Sequence, residues 1–89
     1  MTKTEILNHL DNLVSSGKIV DCTIGEVLEW ENSIDETLFE IVNMNLDNAD
    51  PCKYGVYVIR DMDQQLLVNL IDDTDMYYTF EEFAEKYAS

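Results

Sequence analysis

Apolar positions fall at helical spacing over residues 3–16, where Ile6, Leu7, Leu10, Leu13 and Val14 line one side. Thr2 and Glu5 form a capping box before this segment, and Gly17 stands where a C-cap belongs. Lys18 to Cys22 reads as a connector or a short edge strand. Residues 23–32 predict a second helix, with Thr23 and Glu26 as its capping box and Ile24, Val27 and Leu28 on one face. Residues 33–46 fit two patterns. Ser33 and Glu36 can cap a third helix carrying Ile34, Leu38, Ile41 and Val42, whereas Thr37 to Val42 is rich in strand formers, which points to a strand over 37–43. Asn43 to Cys52 has loop chemistry.

The C-terminal half is more regular. Tyr54 to Arg60 alternates as a strand, Asp61 to Gln64 is a turn, and Gln65 to Ile71 is the partner strand. Val56 and Val58 face the core with Leu66, Val68 and Leu70, which leaves Tyr57, Ile59, Leu67 and Ile71 on the other face. Asp72 to Asp75 breaks the strand. Thr79 with Glu82 caps a last helix through Tyr87 whose apolar side is Phe80, Phe83, Ala84 and Tyr87. The expected order is α-α-β-β-β-α, a single α+β domain over residues 1–89 with helices packed on a three-stranded antiparallel sheet.

Charge changes this picture. The chain of 89 residues carries 19 Asp and Glu against 5 Lys and Arg, a net −14. A domain of this length spans roughly 31 Å, and duplex DNA over that length carries about 18 charges. The charge is also segregated. Residues 1–20 balance two acids with two bases, and residues 53–70 do the same; residues 21–52 hold nine acids and no base, and residues 71–89 hold six acids and one base. Repulsion of this size costs stability and exceeds what solubility asks of a small domain. It disfavours direct contact with nucleic acid and favours a basic protein partner.

Catalytic chemistry is sparse. His9 is the only histidine, Ser15 and Ser16 have no neighbouring base, and no glycine loop suits a phosphate. Asp61, Asp63, Gln65 and Asp72 match calcium-loop spacing, but Leu66 stands where glycine is required. Cys22 and Cys52 lack zinc spacing and read as free intracellular thiols. The expectation is no enzyme, no metal and no cofactor. No apolar run approaches 18 residues and the N-terminus lacks a signal-peptide stretch, so a cytoplasmic protein of a bacterium or its phage is expected.

In size, acidity and mixed α+β pattern the chain resembles small phage-encoded inhibitors of host defence, the anti-CRISPR and anti-restriction proteins, and more broadly the immunity proteins that plug basic nuclease toxins. The resemblance implies a carboxylate surface that replaces phosphates in a basic groove. Glu26, Glu29, Glu31, Asp35, Glu36, Asp72, Asp73, Asp75, Glu81, Glu82 and Glu85 are its candidates. The expected arrangement places helix 2 beside the last helix on one sheet face, so that both acidic blocks converge. The alternative is an interaction module, acting through a sheet-face or homodimer contact. Tyr57, Ile59, Leu67 and Ile71 would form its apolar patch if no helix covers them.

Overall fold

A computed structural model describes residues 1–24, 28–48, 50, 53–72 and 74–89. The elements are α1 (Lys3–Ser15), β1 (Val20–Asp21), α2 (Leu28–Asn32), α3 (Glu36–Ile41), a short 3-10 turn (Leu46–Asn48), β2 (Gly55–Arg60), β3 (Leu66–Ile71), β4 (Met76–Tyr78) and α4 (Phe80–Tyr87). The α+β class holds. The sheet, however, has four strands in the order β1-β2-β3-β4, and it is mixed, because β1 runs parallel to β2 while the other pairs are antiparallel.

The loss of the expected strand over 37–43 has a local cause. The expected strand over 37–43 is instead α3. Its N-cap is Asp35, whose carboxylate accepts the Leu38 N–H at 3.1 Å. At the other end Met44 N–H donates to Phe39 C=O and Asn43 N–H to Glu40 C=O, with Asn43 in the left-handed region at φ 61°. That pairing is a Schellman stop, which asparagine tolerates better than most residues. Two good caps and the burial of Leu38 and Phe39 outweigh the strand propensity of Thr37 to Val42. The third antiparallel strand is β4, three residues squeezed between the Asp72–Asp75 break and the Thr79 cap.

The expected helix over 23–32 is formed at Leu28–Asn32, while Thr23 and Ile24 lie in a turn. The rest of its proposed capping box, Glu26, lies outside the described residues, as do Asp73 and Cys52. The capping boxes at Thr2–Glu5 and Thr79–Glu82 are both made, and Gly17, at φ 74°, closes α1.

The hairpin register pairs Val56 with Leu70 and Val58 with Val68 on one face, and Gly55 with Ile71, Tyr57 with Asn69 and Ile59 with Leu67 on the other. The first face, together with Tyr78, is covered by a helical layer. Ile6, Leu10 and Leu13 of α1, Leu38 and Phe39 of α3, and Phe83 and Ala84 of α4 complete that core. The second face is smaller. Val20, Tyr57, Ile59 and Ile71 are buried there, under Trp30, Ile34 and Cys22. Trp30 meets Tyr57 edge to face with ring centroids 5.1 Å apart. The Tyr57 ring lies back over Gly55, so a Cβ on residue 55 would stand 2.6 Å from it. Glycine is required here for that close approach.

This second core corrects the expectation of an exposed patch. Tyr57, Ile59 and Ile71 are buried and Leu67 is partly so, because Trp30 of α2, Ile34 and Cys22 pack against that face and Val20 of β1 extends it.

Candidate acidic interface

Helices α1, α3 and α4 pack on one face of the sheet, with α1 against α4, and their polar sides face outward. Glu5 and Asp11 of α1, Glu36 and Glu40 of α3, and Glu81, Glu82 and Glu85 of α4 are all exposed, which places seven carboxylates on that layer. Amphipathicity explains the placement. The apolar residues of each helix are drawn to the sheet, so the acids interleaved with them have only the solvent side left.

The cations of this layer are already engaged. Lys3 Nζ of α1 is 2.6 Å from Glu81 Oε1 of α4 and tethers the two helices. The Glu81 hydrogen bond, joined by the fields of Glu81 and Glu85, pushes the Lys3 ammonium above its usual pKa. Lys86 Nζ donates to Tyr78 Oη at 3.0 Å and lies over the Tyr78 and Tyr87 rings. That hydrogen bond likewise pushes Lys86 up. Some of the acids also belong to the fold. Glu5 accepts the Thr2 N–H and Glu82 the Thr79 N–H. The Thr2 backbone and hydroxyl bonds hold the Glu5 carboxyl below its ordinary value. Among the described residues, the side-chain carboxylates of Asp11, Glu36 and Glu40 enter none of the fold's hydrogen bonds or ion pairs, so they project as uncommitted charge.

The remaining sequence candidates divide. Asp35 is not a surface carboxylate: it is buried, and besides capping α3 it meets His9 Nε2 at 2.6 Å and Lys18 Nζ at 3.5 Å. The only histidine is thus a structural link between α1 and the start of α3. Glu29 and Glu31 lie on α2, over the opposite sheet face from α4. The expected meeting of α2 with α4 therefore does not occur, because the Trp30 contact to Tyr57 fixes α2 on the second face. Glu29 turns inward in part, accepting the Asp21 N–H at 3.1 Å. Asp72 and Asp75 are exposed beside β4.

Besides Glu5, two further carboxylates outside the candidate list do structural work. Asp61 Oδ1 accepts the N–H groups of Asp63 and Gln65 and so closes the β2–β3 turn. Asp21 accepts from the Thr23 hydroxyl and backbone and lies 3.3 Å from Arg60; those bonds, the hydroxyl first, keep its carboxyl below the ordinary range. Sequence reasoning missed the α3 pair Glu36 and Glu40 as a unit. Once Asp35 and Asn43 are read as the two caps of a short helix, the spacing of four places both acids on its outer side.

Other chemistry is modest. The Cys22 thiol is pushed up, by burial first and then by the nearby Asp21, Asp61 and Glu29 carboxylates, which makes it a poor nucleophile. A recess of about 210 Å³ is lined by Met1, Thr37, Glu40 and Ile41; small-molecule sites usually hold about 300–1,000 Å³. Among the described residues no helix is long and apolar enough to cross a membrane. Neither a protein-family model, nor a curated protein, nor a solved structure matches this chain.

Proposed function

We propose that this protein is a binding protein that presents the outer side of α1, α3 and α4 to a basic nucleic-acid-binding protein or nuclease, in the manner of anti-CRISPR or anti-restriction inhibitors that imitate a nucleic acid. One observation carries the reading: seven exposed carboxylates lie on one helical layer whose lysines are already engaged. Such a layer attracts a Lys/Arg-rich groove over long range and occupies it against the natural polyanion. The surface differs from the one expected from sequence, because it lies on α1, α3 and α4 and omits α2.

The test is displacement of a nucleic acid from a panel of basic nucleases and nucleic-acid-binding proteins, followed as salt is raised. Competition by the native protein should fall steeply with salt. Glu36→Lys with Glu40→Lys should slow association with the displaced protein at least tenfold more than Glu31→Lys does. Equal effects of the two variants would refute the assignment of the surface.

A further inference from the structure

The two edges of the sheet are treated differently. β1 has two residues, and its outward N–H, that of Asp21, is taken by the Glu29 carboxylate, while Cys22 N–H returns to Arg60 C=O of β2. That edge is closed. β4 is the other edge, and among the described residues nothing pairs with its outer side. Met76 and Tyr77 stand 42% and 55% exposed along it, on opposite faces of the sheet. The inner side is held firmly, by the register with β3 and by Asn69 Nδ2 donating to Met76 C=O at 3.1 Å. A fixed strand with a free outer edge is a ready template for one more strand.

Charge selects the occupant. Exposed Asp72 and Asp75 precede β4 and exposed Glu81 and Glu82 follow it; of the neighbouring cations, Lys3 is paired with Glu81 and Lys86 is engaged with Tyr78. A second copy of the chain, itself at −14, would bring these carboxylates against their own images. A strand bearing Lys and Arg would meet them favourably. Tyr77 and Met76 supply apolar contact on either face for its alternate side chains.

We infer that the outer edge of β4 docks an extended, Lys/Arg-bearing segment of the partner, adding it as a fifth strand beside α4. The inference rests on the reading of a basic partner and adds its binding mode: main-chain hydrogen bonds at β4 give register, and the adjoining carboxylates give rate.

The test uses the intact protein and two synthetic peptides. One is a short peptide alternating Lys with Val and Thr; the other has the same sequence with alternate backbone nitrogens methylated, which keeps the charge and removes main-chain donors. The expected result is binding of the first peptide, slowed amide exchange confined to Met76–Tyr78, and affinity lower by about tenfold or more for the methylated peptide, the loss of one or two backbone hydrogen bonds. Equal binding of both peptides with strong salt dependence would overturn strand docking while leaving the acidic-layer reading intact. Failure of both to bind would also overturn strand docking, and the acidic layer would still be judged by the Glu36 and Glu40 variants. Protection of β4 amides without peptide, with sedimentation as a dimer, would assign the edge to a second copy and overturn the basic occupant.

Discussion

The two faces of the sheet differ in depth and in charge. The face under α1, α3 and α4 buries side chains from three helices and three strands, and it carries seven exposed acids on its outside. The face under α2 buries four residues beneath Trp30 and its neighbours, and Glu29 on that side is drawn into hydrogen bonding with β1. The larger core can carry the electrostatic load because apolar burial stabilises by roughly 25 cal/mol per Å², against repulsion that water and salt screen. The thin core is better suited to fixing one parallel strand and one short helix. A dense charge layer thus sits on the part of the molecule most able to tolerate it.

The largest expected effect is in the deep core. Phe83→Ala should cost about 3–5 kcal/mol, a large fraction of the total for a domain of this size, and a urea midpoint should fall accordingly. Trp30→Ala, whose ring is only partly buried, should cost roughly 1–2 kcal/mol and should raise amide exchange in β1 and α2 while β3 stays protected. If both variants lose protection everywhere, the two faces are one cooperative unit and the contrast fails.

Asp35→Ala comes next, at about 2 kcal/mol, the upper end of the N-cap range, because the same carboxylate also meets His9 and Lys18. Its effect should appear as lost exchange protection in α3 before α4. Gly55→Ala should cost about 1–3 kcal/mol by forcing the Tyr57 ring out of its place, with a changed near-ultraviolet signal from the Trp30–Tyr57 pair. An unchanged spectrum would show that the ring has room the geometry denies it.

Thr2→Ala should cost about 1 kcal/mol through the α1 cap. Its pH dependence has a definite sign. The Glu5 and Asp21 carboxyls are held below their ordinary values in the folded protein, so their contribution is present at neutral pH and is lost as pH falls through and below the carboxylate range. The stability gap between the native protein and Glu5→Gln should therefore close on acidification, as read from chemical denaturation at stepped pH. A gap that widens toward acid would reverse the assignment.

The smallest effect is salt on the isolated protein. Moderate NaCl should raise the melting temperature by a few degrees at most, since net −14 is screened while the few ion pairs weaken only slightly. A falling melting temperature would mean that the paired charges outweigh the repulsion.

The elements most legible in the sequence were those with short-range signals. The capping boxes at Thr2 and Thr79, the alternation of β2 and β3 and even the division of their side chains between two faces all follow from neighbours a few residues apart. Residues 33–46 were not legible from propensity, because Thr37, Leu38, Phe39, Ile41 and Val42 suit a strand until Asp35 and Asn43 are recognised as caps. The parallel pairing of β1 was hidden too, since two residues carry no periodicity and their partner lies about forty positions away. The candidate site was half legible. The acids were visible as blocks, but which face each block occupies depends on where Trp30 docks, and that is a long-range contact with no local signature.

The measurement that bears most directly on the central claim is the association rate with a basic nuclease or nucleic-acid-binding protein picked out by the displacement panel, compared across charge reversals on the two sides of the sheet at low and moderate salt. The account predicts that Glu36→Lys, Glu40→Lys and Glu85→Lys together slow association at least tenfold and flatten its salt dependence, while Glu31→Lys on α2 changes both little. The opposite ranking, or no change from either set, would contradict the assignment of function to the helical layer.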